Sequence, residues 1–157
     1  MGAIAKRATA KRVAAASIVA STIYIETSAL LAALLEHDVS AQNAMRGQGR
    51  RVTSALTLAQ ANRGVVRARV SGRLTAEQER RAIRALRTFA RRCDLVAVTD
   101  AVLERAGRPF PVELIRTLDA IHLATADALG DAPQFMTVVT RDLCVRENAQ
   151  ALGFATL

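Results

Sequence analysis

Three acidic residues stand where an α/β protein could do chemistry. Glu26 closes the apolar run Thr22–Ile25, Asp142 follows the apolar run Met136–Val139, and Asp119 opens an otherwise apolar segment, Leu118–Leu129. Carboxylates brought together from such places can hold a hard cation or work as proton donors and acceptors. Two of them also have plainer roles. Asp119 suits the first turn of a helix, where the macrodipole favours a negative charge, and Asp142 suits a helix cap. Glu26 is harder to explain that way, because a carboxylate at the end of an apolar strand needs a partner. Cys93 and Cys144 are isolated, without CxxC or Cys/His spacing. They suggest reduced thiols rather than a zinc site.

The elements that must position these acids follow from the pattern. Thr22–Ile25 is β-branched and aromatic, a short buried strand. Thr27 and Ser28 can each cap the Ala- and Leu-rich helix behind it, while 37–51 is polar, carries two glycines and reads as a loop or frayed helix. Ser54 opens a helix over 55–70 that stops at Ser71-Gly72. Thr75-Ala-Glu-Gln78 forms a capping box, followed by Ile83, Leu86, Phe89 and Ala90 at helical spacing. A strand is expected over 95–98, then a short helix capped by Thr99 or Asp100 and stopped at Gly107. The segment Arg108-Pro-Phe-Pro111 breaks the helix. A helix over 118–129, a strand over 136–139, a helix over 143–152 and an edge strand over 154–157 complete the chain. Alternating strands and helices predict one α/β domain with a mostly parallel central sheet flanked by helices. In such folds ligands bind beyond the carboxyl ends of the strands, where Glu26 and Asp142 lie.

Composition narrows the partner. The 157 residues carry a net charge of +8 with 51% hydrophobic residues, too apolar for a disordered basic tail and suited to an anionic partner, nucleic acid first. Only 3% are aromatic, which argues against a platform that stacks bases. Half of the +8 sits in residues 1–22, on Lys6, Arg7, Lys11 and Arg12, and no Lys follows Lys11. The basic start and the short, Ala-rich stretch to Ala20 faintly resemble a secretory leader; a disordered extension over 1–21 is the preferred reading. No apolar run reaches the roughly 18 residues of a membrane span, and a cytoplasmic protein is expected.

Four motifs in order resemble those of PIN domains, and the closest subgroup is the toxin ribonucleases of toxin–antitoxin pairs. They are Ile23-Tyr-Ile-Glu-Thr-Ser-Ala-Leu-Leu31, Ser54-Ala-Leu-Thr-Leu-Ala-Gln-Ala-Asn-Arg63, Leu118-Asp-Ala-Ile-His-Leu-Ala124, and Val139-Thr-Arg-Asp142 before a helix and Gly153. They span residues 22–157, the expected PIN domain. The resemblance implies a three-layer fold and an endoribonuclease whose acids gather around Mg²⁺ or Mn²⁺, with the metal polarising a phosphate oxygen and activating water for in-line attack on RNA. By motif, the four site positions are Glu26, Gln60, Asp119 and Asp142. Two of them depart from the family pattern. Glu26 replaces the usual Asp and reaches about 1.5 Å further. Gln60 replaces the usual Glu, which removes a negative charge and a possible base. The resemblance therefore implies either a metal nuclease, with Asp119 and Asp142 as catalytic residues and Glu26 as a further ligand, or a degenerate PIN domain that binds RNA or protein. It also implies a cognate antitoxin laying a helix into a groove, with an Arg near the acids, and a homodimer.

Nearby polar residues have two readings each. His122 shares the helix face of Asp119 and could meet substrate, but internal packing and hydrogen bonding are expected. Arg63, three residues after Gln60, could hold phosphate or serve as an ion-pair partner. Thr140 could bond a metal-bound water or merely end a strand; Thr27 and Ser28 are caps first and supports of the site second. The Arg run from 80 to 92 reads as a solvated helix face. A phosphoacceptor receiver domain also clusters acids at strand ends, but it needs a Lys near the phosphoryl group, and the expected fold has none.

Overall fold

The computed structural model describes residues 21–157; the expected extension, Ser21 apart, and the leader-like stretch lie outside them. Five strands form one sheet: β1 (Thr22–Ile25), β2 (Arg50–Ser54), β3 (Asp94–Val96), β4 (Met136–Val139) and β5 (Ala155–Thr156). Their order is β3-β2-β1-β4-β5, and every pairing is parallel. β1 lies at the centre, with Tyr24 beside Val52 on one side and Val138 on the other.

Among the described residues seven α-helices cover the two faces. α1 (Thr27–Leu35), α2 (Val39–Arg46), α3 (Ala55–Val70) and α4 (Ala76–Ala90) pack on the Ile23, Ile25 and Val139 side. α5 (Asp100–Ala106), α6 (Thr117–Asp127) and α7 (Leu143–Ala151) cover the Tyr24, Val52 and Val138 side. The two-residue alternation of each strand divides the core between these layers. Because both faces are buried, the central strands are apolar in nearly every position. The three-layer α/β fold expected from the sequence is present, and the sheet is wholly parallel.

Several expectations change. The segment 37–51 is neither loop nor frayed helix: it holds α2 and the start of β2. α2 fully buries only Ala41 and Ala44, with Met45 half-buried beside them and Val39 exposed, so its apolar stripe is short and built mostly of small residues; Asp38 caps it, accepting from the Ala41 N–H at 2.9 Å. β2 begins with two arginines because its outer end is exposed, and Arg50 reaches Asp94 of β3 at 2.8 Å. Its inner end, Val52–Ser54, is fully buried beside β1. β3 spans Asp94–Val96 rather than 95–98, and Val98 packs instead against the Val102, Ile121 and Ala124 cluster. α4 has the expected capping box, and Arg80, Arg81, Arg84, Arg87 and Arg91 of its arginine run are exposed. Both cysteines are free; burial pushes the Cys93 thiol up to about 12.

Candidate active site

The pocket that matters opens beyond the carboxyl ends of β1 and β4, where the chain order turns outward in both directions along the sheet. It measures about 620 Å³, and its lining includes Glu26, Gln60, Asp119, Asp142 and the three cations Arg63, Arg67 and Arg116. Elements distant in sequence thus bring the three predicted acids together.

Glu26 is 4% exposed and does the capping expected of Thr27 and Ser28. Its carboxylate reaches forward to the first unsatisfied amides of α1, which its position at the strand end allows. Oε2 accepts from the Ser28 N–H at 2.9 Å, from the Ser28 hydroxyl, and from the Thr140 hydroxyl at 2.9 Å. These bonds all fall on one oxygen; the other, Oε1, lies 3.8 Å from His122 Nε2. Burial raises the Glu26 pKa, the hydrogen bonds from Ser28 and Thr140 oppose that shift, and the charge of Asp142 adds to it.

Asp142 caps α7, accepting from the Val145 N–H through Oδ1 at 3.0 Å, as its plainer reading required. Thr140 joins it to Glu26: the Thr140 hydroxyl donates to Glu26 and accepts from the Asp142 N–H at 3.1 Å. Ser28 Oγ also accepts from the Arg141 N–H at 2.7 Å, so the turn after β4 is pinned to the start of α1. The neighbouring Arg141 holds Asp38 through two bonds, at 2.7 and 2.9 Å, and this keeps the Asp38 carboxyl well below the usual range.

Asp119 sits in the first turn of α6, 7% exposed. Burial raises its pKa; Arg116 pulls the other way, and Asp142 and Glu26 push it up further. The three acids therefore act on one another electrostatically, and a shared cation would relieve them. Arg116 is the cation present. Its Nε donates to Asp119 Oδ2 at 2.7 Å and its Nη2 to Asp142 Oδ2 at 2.8 Å. The sequence reading missed this residue. Its three-residue spacing from Asp119 was visible, but Asp142 is 26 residues away and only the fold brings it near.

Gln60 faces inward. Its Oε1 accepts from the Thr27 hydroxyl at 2.6 Å and pairs with His122 Nε2 at 2.6 Å. His122 is wholly buried, with Nδ1 3.0 Å from the Tyr24 hydroxyl, and burial lowers its pKa to about 4. The internal reading of His122 holds. The Gln60 carbonyl, left free by the sequence to accept or ligate, is engaged by two protein donors. Arg63 is exposed on the pocket rim without an ion-pair partner among the described residues, which removes the ion-pair reading for it.

Among the described residues no three His, Cys, Asp or Glu side chains form a ready-made metal cluster. The chemistry of the donors nevertheless fits a hard divalent cation. Two aspartate oxygens already converge on one positive group, and a third carboxylate borders the same pocket.

Comparison with known proteins agrees with this architecture. A family model described as the PIN domain matches residues 23–149. Ribonuclease VapC46 of Mycobacterium tuberculosis is 37% identical over 139 residues, covering 87% of this chain and 97% of that protein. Ribonuclease VapC35 of the same organism is 32% identical over 139 residues, covering 86% and 95%. Among solved structures, VapBC2 from Rickettsia felis bound to a promoter DNA fragment aligns with a TM-score of 0.60 at 17% identity, covering 87% of this chain and 97% of that one. PAE2754 from Pyrobaculum aerophilum also gives 0.60, at 16% identity, covering 87% and 83%. At such identities the structures speak for the fold alone, whereas the family model and the sequence relatives carry the assignment. The chain belongs to the PIN-domain family, with the VapC ribonucleases among its relatives.

Proposed function

We propose that this PIN domain, residues 22–157 with an extension before it, is a metal-dependent endoribonuclease and the toxin of a toxin–antitoxin pair. The observation that carries the reading is the convergence of Asp119 and Asp142 on one cation in a pocket bordered by Glu26. Asp119, Asp142 and Glu26 would hold Mg²⁺ or Mn²⁺. When bound, such a cation supplies Lewis-acid polarisation of the phosphodiester and acidifies water. The chain's own groups do the rest. Arg63 and Arg67 on the rim receive RNA phosphates, and Ser28 and Thr140 fix the Glu26 carboxylate.

Support for an antitoxin comes from the VapC relatives and from neighbours described as VapBC assemblies. The apolar part of the pocket, with Leu31, Ala59 and Leu118, suits a helix laid into a groove, and homodimerisation belongs to the same reading. No helix among the described residues is long and apolar enough to cross a membrane.

Purified protein is expected to cleave RNA with Mg²⁺ or Mn²⁺, and Asp119→Asn to lose about 100-fold or more, the scale for removing a group that acts in the transition state. Equal cleavage by both proteins would overturn the reading. The inward-turned Gln60 favours a second one, a PIN module that binds RNA or protein without cutting. If only Gln60→Glu combined with Glu26→Asp creates cleavage, that second reading is correct.

A further inference from the structure

Arg116 links the two aspartates yet is itself hardly held. It occupies the N-cap position of α6 without capping it, and its side chain is 74% exposed. Among the described residues its side chain bonds to Asp119 and Asp142 alone. The guanidinium end of the clasp is open to solvent, while the Asp119 end is buried, so the clasp opens from the arginine side. A divalent cation bound by these residues draws on the same two carboxylates that the guanidinium holds. The two cations therefore compete for them. Once freed, the guanidinium is still tethered beside the acids, on the rim it shares with Arg63 and Arg67. Its planar fork matches two oxygens of a phosphate as well as it matches two carboxylates.

We propose that Arg116 is a built-in counter-cation that occupies Asp119 and Asp142 when no metal is bound, competes with the incoming divalent cation, and then passes to the RNA phosphate. The proposal rests on the metal-dependent ribonuclease reading and assigns the chain its own positioning residue at that site. The hand-over explains how a pocket of three acids can accept a polyanion. It carries positive charge to the rim at the moment the metal neutralises the carboxylates.

The test is calorimetric titration of Mn²⁺ into the full chain and into Arg116→Gln, with Arg116→Lys as a second variant that keeps charge but loses the fork. Because the side chain is exposed, the variants are expected to fold, which circular dichroism verifies. Arg116→Gln should bind Mn²⁺ about threefold to tenfold more tightly, the range expected when a weak competing pair is removed. In saturating Mn²⁺ it should bind a nuclease-resistant 2′-O-methyl RNA oligonucleotide about threefold or more weakly, as loss of one phosphate contact requires. Arg116→Lys should fall between the two in both measurements. Unchanged or weaker Mn²⁺ binding by Arg116→Gln, with wild-type cleavage intact, overturns the clasp and leaves the ribonuclease reading standing. Tighter metal binding with unchanged oligonucleotide binding overturns the hand-over. A wild-type protein that neither binds Mn²⁺ nor cleaves RNA overturns both proposals together.

Discussion

His122 shows how much one residue's environment decides. Its Nε2 faces the Gln60 carbonyl, which can only accept, so the ring proton sits on Nε2 and Nδ1 accepts from the Tyr24 hydroxyl. Burial raises the Tyr24 pKa far above its ordinary value, which keeps that hydroxyl a donor. The imidazole is thus held neutral. Unfolded, it titrates near 6.5; folded, at about 4. Between those values the unfolded chain binds the extra proton, so the stability contributed by neutral His122 is complete above pH 6.5 and lost as pH falls toward 4. Glu26 and Asp119 act in the opposite sense, because burial raises their pKa values and favours their protonated forms in the fold. Comparison with His122→Gln separates the two effects. From pH 7 to pH 5 the wild type should lose about 2 kcal/mol more unfolding free energy in urea than the variant. An identical pH slope for both proteins would show that the imidazole is not held neutral.

At the scale of elements, the join between β1 and β2 depends on Gly49. Its φ is +119°, and a Cβ there would clash with the Ser21 carbonyl oxygen. The contact is with backbone, at the start of the β1–β2 pairing, where the Arg50 N–H donates to Ser21 O at 3.1 Å, so neither partner can easily withdraw. Gly49→Ala should cost about 2 kcal/mol or more, from a disfavoured backbone conformation plus overpacking, read as a lower urea midpoint with an unchanged slope. A change below about 0.5 kcal/mol, the ordinary scatter of surface substitutions, would contradict it. The same stretch explains what the sequence concealed. β2 opens on an exposed and a half-buried arginine before three buried residues, and the buried stripe of α2 is only Ala41, Ala44 and the half-buried Met45, so in both the hydrophobic period from which elements are read is too short to stand out. Where that period or a cap was strong, the elements were legible: β1 and β4 match to the residue, as do the capping box of α4 and the bounds of α3.

For the whole molecule, the +8 charge of the sequence is not the charge of the site. The described surface is arginine-rich, but the pocket gathers three carboxylates against three guanidiniums. A divalent cation that binds only the folded state should stabilise it by mass action, about 2.7 kcal/mol at a hundred times its dissociation constant. That corresponds to a rise in Tm of roughly 5–11 °C for a domain of this size. Mn²⁺ should therefore raise the wild-type Tm in a thermal-shift assay and leave Asp119→Asn nearly unmoved. Equal shifts in the two proteins would place the cation elsewhere.

The sequence by itself determined the alternation of strands and helices, the three acids at or beside strand and helix ends, and the motif order that marks the family. Those properties are local: they depend on side-chain period, capping chemistry and short spacings. The tertiary structure decided which groups share the acids. Arg116 spans Asp119 and Asp142 only because α6 and the turn after β4 meet at the carboxyl edge of the sheet. Gln60 lines the pocket with its carbonyl already engaged, because α3 sets it against Thr27 and His122 from two other helices. The strand order that brings these segments together is a property of long-range packing, and no short stretch of the chain encodes it.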